Sequence, residues 1–209
     1  MKKLIKNGFV IDGSGEKRYK ADVLVNGDKI EKIGAIDNIE GAEVIDATGK
    51  IVAPGFIDTH SHSDLKVLIE PFIEPKLRQG ITTEILGQDG ISMAPLPKEF
   101  VSSWRKNLAG LDGDSDLLSW DWETTDKYLD LIAKTGSGPN ELYLVPHGNI
   151  RMEAMGLEAR VATDEELAKM RDITRREMEA GAAGLSTGLI YIPCAYSDTR
   201  ELVEICKVA

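Results

Sequence analysis

The chain is poor in cysteine, in aromatic residues and in histidine, carries no excess of positive charge and contains no long apolar run. Only Cys194 and Cys206 occur in 209 residues, too few for a disulfide framework, so a reducing compartment, the cytoplasm, is the expected setting. Lys and Arg number 25 against 35 Asp and Glu, a formal net charge of −10. An acidic surface repels phosphate backbones, and with no local basic patch no nucleic-acid partner is expected. No stretch approaches the ~18 apolar residues of a transmembrane helix. The opening Met1-Lys2-Lys3-Leu4-Ile5-Lys6-Asn7-Gly8 meets charge and glycine too early for a signal-peptide core, so no membrane partner is expected either. What is present is ordinary for a folded soluble protein: 42 % apolar and 29 % charged residues, in a length that suits one or two domains.

Residues 1–53 read as short β-strands. Asn26-Gly27-Asp28 separates Ala21–Val25 from Lys29–Ile33, and Asn-Gly between two β-prone runs is the strongest short hairpin signal. This module is too short to close a two-sheet core alone and is expected to borrow strands. From Pro54 the rhythm becomes strand, loop, helix. Strands are predicted at Phe56–Asp58, Thr82–Leu86, Glu141–Val145 and Ala183–Leu189. Helices are predicted from Asp64 to Arg78, interrupted at Pro71 and Pro75, and from Ser119 to Lys134. A third begins at Thr163, where Thr163 and Glu166 form a capping box, and stops at Gly181. A last one, capped by Ser197 or Asp198, runs on to Ala209, and Leu96–Asp116 is the longest irregular connection. Successive βα units predict an α/β fold with a parallel sheet. A closed (β/α)8 barrel takes about 250 residues, so residues 54–209 suit its first half and the chain reads as truncated.

Two of the three histidines, His60 and His62, lie in Pro54-Gly55-Phe56-Ile57-Asp58-Thr59-His60-Ser61-His62. In extended chain an i, i+2 spacing puts both imidazoles on one side, as joint metal ligation requires, and imidazole nitrogen suits Zn2+. Ligation also fits the C-terminal mouth of a barrel strand, where catalytic groups of this architecture gather. The plain alternative is two surface histidines at a turn.

Pro-Gly-Phe-Ile-Asp-Thr-His-Ser-His after a β-rich module resembles the amidohydrolase superfamily. Gly80-Ile81-Thr82-Thr83 through Gly90-Ile91-Ser92-Met93-Ala94-Pro95, then His147-Gly148-Asn149-Ile150-Arg151 with Met155-Gly156, then Gly184-Leu185-Ser186-Thr187-Gly188-Leu189-Ile190-Tyr191, are similar to the D-aminoacylase (N-acyl-D-amino-acid deacylase) family. The resemblance runs along nearly the whole chain in family order. It implies part of a small β-sandwich (1–53) on the first half of a distorted, TIM-like (β/α)8 barrel (54–209), and metal-dependent hydrolysis of the amide of a small N-acyl-D-amino acid. It makes His60 and His62 the first metal-ligand pair.

At the end of the second strand such enzymes commonly carry Asn-Cys-Gly with a ligating cysteine, where this chain has Gln88-Asp89-Gly90. Asp89 either ligates through oxygen, which admits Mn2+ or Fe2+ beside Zn2+, or is a turn residue before glycine. His147 and Arg151 either meet substrate at the barrel mouth or brace a loop. Tyr191 either lines a substrate pocket or wedges a strand-to-helix loop. Ser186 and Thr187 stand where other amidohydrolases carry a modified lysine. Cys194 reads as a structural thiol, Cys206 as core, and Trp104, Trp122 and Trp120 as packing. The family's remaining metal histidines and catalytic Asp are expected beyond Ala209, so the 209-residue chain alone is expected to lack substantial deacylase activity and to self-associate through open barrel edges. Two other readings remain open: a cyclic amidase or dihydroorotase-like hydrolase, and a non-catalytic, partner-binding half-barrel.

Overall fold

The structure, a computed structural model describing residues 1–209, bears out the hairpin signal. Gly27-Asp28 is the two-residue link between β2 (Tyr19–Asn26) and β3 (Lys29–Gly34), with Asn26 opposite Lys29. β1 (Lys2–Val10) runs antiparallel to β2 and parallel to β4 (Glu43–Asp46) and to the short β5 (Ile51–Val52). The sheet order is β3-β2-β1-β4, with β5 also beside β1. Leu4, Gly8 and Val10 are buried along β1, the two-residue period of a one-sided strand. The β1–β2 register shifts between Ile5 and Gly8, where Asn7 takes φ 65° and donates its N–H to Asp22 Oδ1 at 2.9 Å. Leu4, Leu24 and Ile36 form the small core of this unit, which spans Met1–Gly55.

The second unit, Phe56–Ala209, is a four-stranded parallel sheet. Its strands are β6 (Phe56–Asp58), β7 (Ile81–Leu86), β8 (Asn140–Pro146) and β9 (Gly184–Ser186), hydrogen-bonded in chain order. Adding each strand beside its predecessor, always parallel, is how a barrel wall grows, and this sheet is half of one. Asp58, Glu84 and Glu141 lie side by side across β6, β7 and β8. Lys76 joins the first two, reaching Glu84 Oε1 at 2.6 Å and Asp58 as well. Glu84 also accepts from the hydroxyls of Ser61 and Ser63, so this row of acids is partly neutralised inside the sheet. Burial pushes Glu141 up to about 7.

The helices depart from expectation in several places. The stretch 64–78 holds only two single turns, α1 (Lys66–Ile69) and α2 (Glu74–Leu77). The connection 96–116 is not irregular throughout, because it contains α3 (Val101–Leu108). Residues 119–124 are not helical, and α4 is Thr125–Thr135. Trp120 and Trp122 both bury their indoles and donate N–H to the carbonyls of Ser115 and Met93. Burial two residues apart is an extended-chain pattern, and Trp120 has φ 55°. An unforeseen α5 (His147–Met155) starts directly after β8. Its first six residues are all buried, so the apolar-polar alternation that announces a surface helix is missing.

α6 (Asp164–Glu179) carries both reciprocal hydrogen bonds of the Thr163–Glu166 capping box. α7 (Thr199–Cys206) is capped by Asp198 and ends before Ala209, and β9 is shorter than the apolar run that predicted it. One core gathers Leu86, Met93, Trp104, Trp122, Tyr128 and Tyr143; another lies among α5, α6 and α7 around Ile150, Leu167, Met170 and Ile205. All three tryptophans are core residues, as expected. No helix is long and apolar enough to cross a membrane.

Candidate metal centre

His60 and His62 follow the C-terminal end of β6, and Asp89 follows that of β7, the end where parallel sheets gather their ligands. His60 Nε2 lies 3.6 Å and His62 Nε2 3.3 Å from Asp89 Oδ2. All three candidate ligand atoms lie within 4.8 Å of one another. Ligands at about 2.0–2.1 Å from a tetrahedral Zn2+ stand about 3.4 Å apart, so the two His–Asp separations have the edge length such an ion needs. The carboxylate of Asp89 makes no turn hydrogen bond to the backbone. It accepts from Tyr191 Oη at 3.3 Å and faces the two imidazoles. Its backbone is left-handed at φ 59°, which Asp tolerates better than most residues.

The turn that carries Asp89 is held from both sides. Gly87 has φ 76°, and a Cβ there would stand 2.0 Å from the Leu144 carbonyl oxygen on β8. Ser186, at the end of β9, accepts from Gly90 N at 3.1 Å and donates to the Gly87 carbonyl. Gly87→Ala is therefore expected to destabilise the chain by at least the ~1–3 kcal/mol of a strained left-handed residue. Urea unfolding followed by circular dichroism checks this, and an unchanged midpoint would show that the turn is not pinned.

Acids crowd the buried side of the centre. His62 Nδ1 is 3.2 Å from Asp112 Oδ1, and the Asp112 side chain is 0 % exposed. Asp64 is buried as well, its Oδ1 accepting from Gly87 N at 2.7 Å and from the Ser92 hydroxyl. Burial, then the charges of Asp64 and Asp89, push Asp112 up to about 9, and burial raises Asp64 too. The second carboxylate oxygens of Asp64 and Asp112 have no hydrogen-bond partner. Buried carboxyl groups that resist ionisation for want of a positive partner, set beside two imidazoles, are an environment in which a divalent cation would stabilise the carboxylate form. The donor set, nitrogen and carboxylate oxygen, fits Zn2+ and admits Mn2+ or Fe2+.

Of the other residues singled out from sequence, only Tyr191 reaches the three candidate ligands. His147 and Arg151 are completely buried on α5. His147 Nε2 is 2.6 Å from Glu201 Oε1 and its Nδ1 2.9 Å from the Thr187 hydroxyl. Arg151 pairs with the other Glu201 oxygen and donates to the Arg160 carbonyl. This network takes both His147 ring nitrogens and both terminal nitrogens of Arg151, while Arg151 Nε is buried without a partner; the two residues brace β9 and α7 rather than line an open pocket. Burial opposes the charge on Glu201, yet its hydrogen bonds to His147 and Arg151 hold it below the usual carboxylate range. Tyr191 does stand at the centre, beside Asp89. Cys194 is buried against Gly90, its thiol pushed up to about 11 by burial, which suits a structural role. Cys206 is exposed, not core: the apolar face of α7 is carried by Ile205 instead. Sequence reasoning missed Asp64, Asp112 and Glu201. The Asp64 signal was available, since a third ionisable residue continues the His60, His62 alternation.

Residues 43–204 match the Amidohydrolase family. The D-aminoacylase of Alcaligenes xylosoxydans xylosoxydans is 38 % identical over 204 residues, covering 98 % of this chain and 41 % of that protein. The N-acyl-D-glutamate deacylase of the same organism is also 38 % identical, over 99 % of this chain and 41 % of its own length. Among solved structures, the N-acyl-D-glutamate deacylase from Bordetella bronchiseptica, complexed with zinc and a phosphonate mimic of the tetrahedral intermediate, superposes with a TM-score of 0.88. It is 37 % identical, over 99 % of this chain and 42 % of that one. The chain thus spans about two fifths of the length of the relatives it matches. A family match over most of the sequence, on a half-barrel whose first strand ends in a His-x-His pair, means that this chain belongs to the amidohydrolase family.

Proposed function

We propose that residues 1–209 carry the first metal-binding segment of a D-aminoacylase-type hydrolase, which cleaves the amide of N-acyl-D-amino acids. The observation that carries this reading is the convergence of His60, His62 and Asp89, with imidazole-to-carboxylate separations of 3.3 and 3.6 Å, at the C-terminal end of a parallel half-barrel. Zn2+, when bound, supplies a water made acidic near neutral pH and polarises the scissile carbonyl. His60 and His62 hold it through Nε2, and Asp89 adds the negative charge that offsets the cation. The Tyr191 hydroxyl donates to Asp89 Oδ2 at 3.3 Å, which supports Tyr191, beside the centre, as a residue that lines the substrate pocket. An Asp in place of a thiolate removes the soft ligand, so Mn2+ and Fe2+ are alternative occupants.

In the same reading residues 1–53 are part of a β-sandwich and 54–209 the first four βα units of a TIM-like barrel, in a cytoplasmic protein. Phe56 and Ile57, more than half exposed on the edge strand β6, favour self-association along that edge.

The reading is tested in a chimera in which this chain replaces the matching segment of the Bordetella bronchiseptica deacylase. Zinc-dependent release of free amino acid from an N-acyl-D-amino acid, and not from its L enantiomer, is expected. Hydrolysis of hydantoin or dihydroorotate in its place would transfer the chain to the cyclic amidases. A folded, zinc-loaded chimera without any of these activities would overturn the reading.

A further inference from the structure

We infer that Asp112 is a positioning residue for this centre: it accepts a hydrogen bond from His62 Nδ1 and so holds the imidazole in the tautomer that leaves Nε2 free for a cation. The inference rests on the metal-binding reading above and deepens it.

The two ring nitrogens of His62 face two different carboxylates, Nδ1 facing Asp112 Oδ1 at 3.2 Å and Nε2 facing Asp89 Oδ2 at 3.3 Å. A neutral imidazole carries one N–H and one lone pair, so with a cation at one nitrogen the other must donate. Nε2 is the nitrogen that meets His60 Nε2 around Asp89. Nδ1 is then the donor, and Asp112 the acceptor. A carboxylate behind a ligating histidine fixes its tautomer and ring orientation and raises its basicity.

Nothing else accounts for Asp112. Its carboxylate is 0 % exposed, Oδ1 has His62 as its hydrogen-bond partner, and Oδ2 has none. Burying such a group costs free energy, and no ion pair to Lys or Arg offsets it. Neighbouring Asp64 does not share this role: its Oδ1 accepts from Gly87 N and the Ser92 hydroxyl, its Oδ2 has no hydrogen-bond partner, and the His62 Nδ1 contact is to Asp112. The grouping of His62, Asp64 and Asp112 within 4.8 Å is not a second cation site in this account. A cation on Nδ1 as well as Nε2 would require the imidazole to lose both ring protons.

The fold delivers Asp112 rigidly. After α3 the N–H groups of Leu111 and Asp112 both return to the Leu108 carbonyl, at 2.8 and 2.9 Å. α3 itself is anchored by buried Trp104, whose indole donates to the Ser92 carbonyl at 2.7 Å. This gives a purpose to the long connection between β7 and β8: it carries one carboxylate behind His62.

The test measures Zn2+ affinity of the full 209-residue chain, of Asp112→Ala and of Asp112→Asn, by competition with a chromophoric chelator. NMR of the Co2+-loaded proteins then reads the exchangeable Nδ1–H signals of ligating histidines. Asp112→Ala is expected to weaken Zn2+ binding about 10–100-fold, the usual cost of an outer-shell partner, and to let the His62 Nδ1–H exchange fast. Asp112→Asn keeps an acceptor of the same shape, so a smaller but measurable loss of affinity and a slowly exchanging Nδ1–H are expected. A purely structural role would lower the melting temperature and leave the Nδ1–H signal unmoved. Unchanged affinity in folded Asp112→Ala overturns the inference. If Asp112→Ala does not fold, unchanged affinity in Asp112→Asn overturns it equally. A wild-type chain that binds no Zn2+ overturns the metal-binding reading itself, whereas normal wild-type binding with unaffected variants overturns only the role of Asp112.

Discussion

His60→Ala and His62→Ala are each expected to lose Zn2+ binding by more than the about 10–100-fold that removal of an outer-shell partner costs, because each deletes a ligand rather than its support. Their effects on stability should differ. The His60 side chain is 58 % exposed, and truncating it leaves no buried group without a partner, so the unfolding midpoint should stay where it is. His62 backs onto buried Asp112. Its removal orphans that carboxylate, at a cost of about 1–3 kcal/mol. Equilibrium dialysis with Zn2+ and urea unfolding, run side by side on the three proteins, separate the two contributions. Retained zinc affinity in both variants would move the metal site away from the His-x-His pair.

The largest stability effect is expected away from the metal centre. Glu201 on α7 is buried between His147 and Arg151, themselves both 0 % exposed. Glu201→Ala would leave a guanidinium in the interior with no carboxylate, and breaking a buried pair in this way costs about 3–5 kcal/mol. Glu201→Gln keeps the shape and an acceptor for Arg151 but not the charge, and should lose less. The difference between wild type and Glu201→Gln also depends on pH. Burial opposes ionisation of Glu201, but its two partners win and hold the folded-state value below the ordinary one. The charge therefore contributes stability in full above the unfolded glutamate value of about 4.3, and that contribution is lost as the pH falls through the lower folded value. The gap in unfolding free energy between the two proteins should close on acidification over that range. A gap that stays constant with pH would mean that Glu201 is held by shape and hydrogen bonding, not by charge.

Much of the architecture was legible because it is written in local patterns. The hairpin at Asn26-Gly27 and the capping box at Thr163 and Glu166 depend on residues within a few positions of each other. The parallel strands are apolar runs bounded by turn residues. The elements that were not legible are those in which burial is continuous or tertiary contacts override propensity. α5 hides because residues 147–152 are all buried, leaving no amphipathic stripe to read. Residues 119–124 stay out of the helix because Trp120 and Trp122, which a helix would set about 200° apart on opposite faces, both insert their indoles into the same core. Cys206 ended on the surface because Ile205, one residue earlier, faces the core.

The sequence by itself determined the chemistry available to this protein. A His-x-His pair at the end of a short apolar strand and an Asp-Gly turn after the next strand offer nitrogen and oxygen donors in a parallel α/β frame. Only the tertiary structure decided which side chains meet. Asp112 stands fifty positions from His62 and Glu201 fifty-four from His147, separations that no local pattern encodes. Their partners were chosen by the closing of strands and helices around a shared core, where a buried charge is tolerated only beside the group that satisfies it.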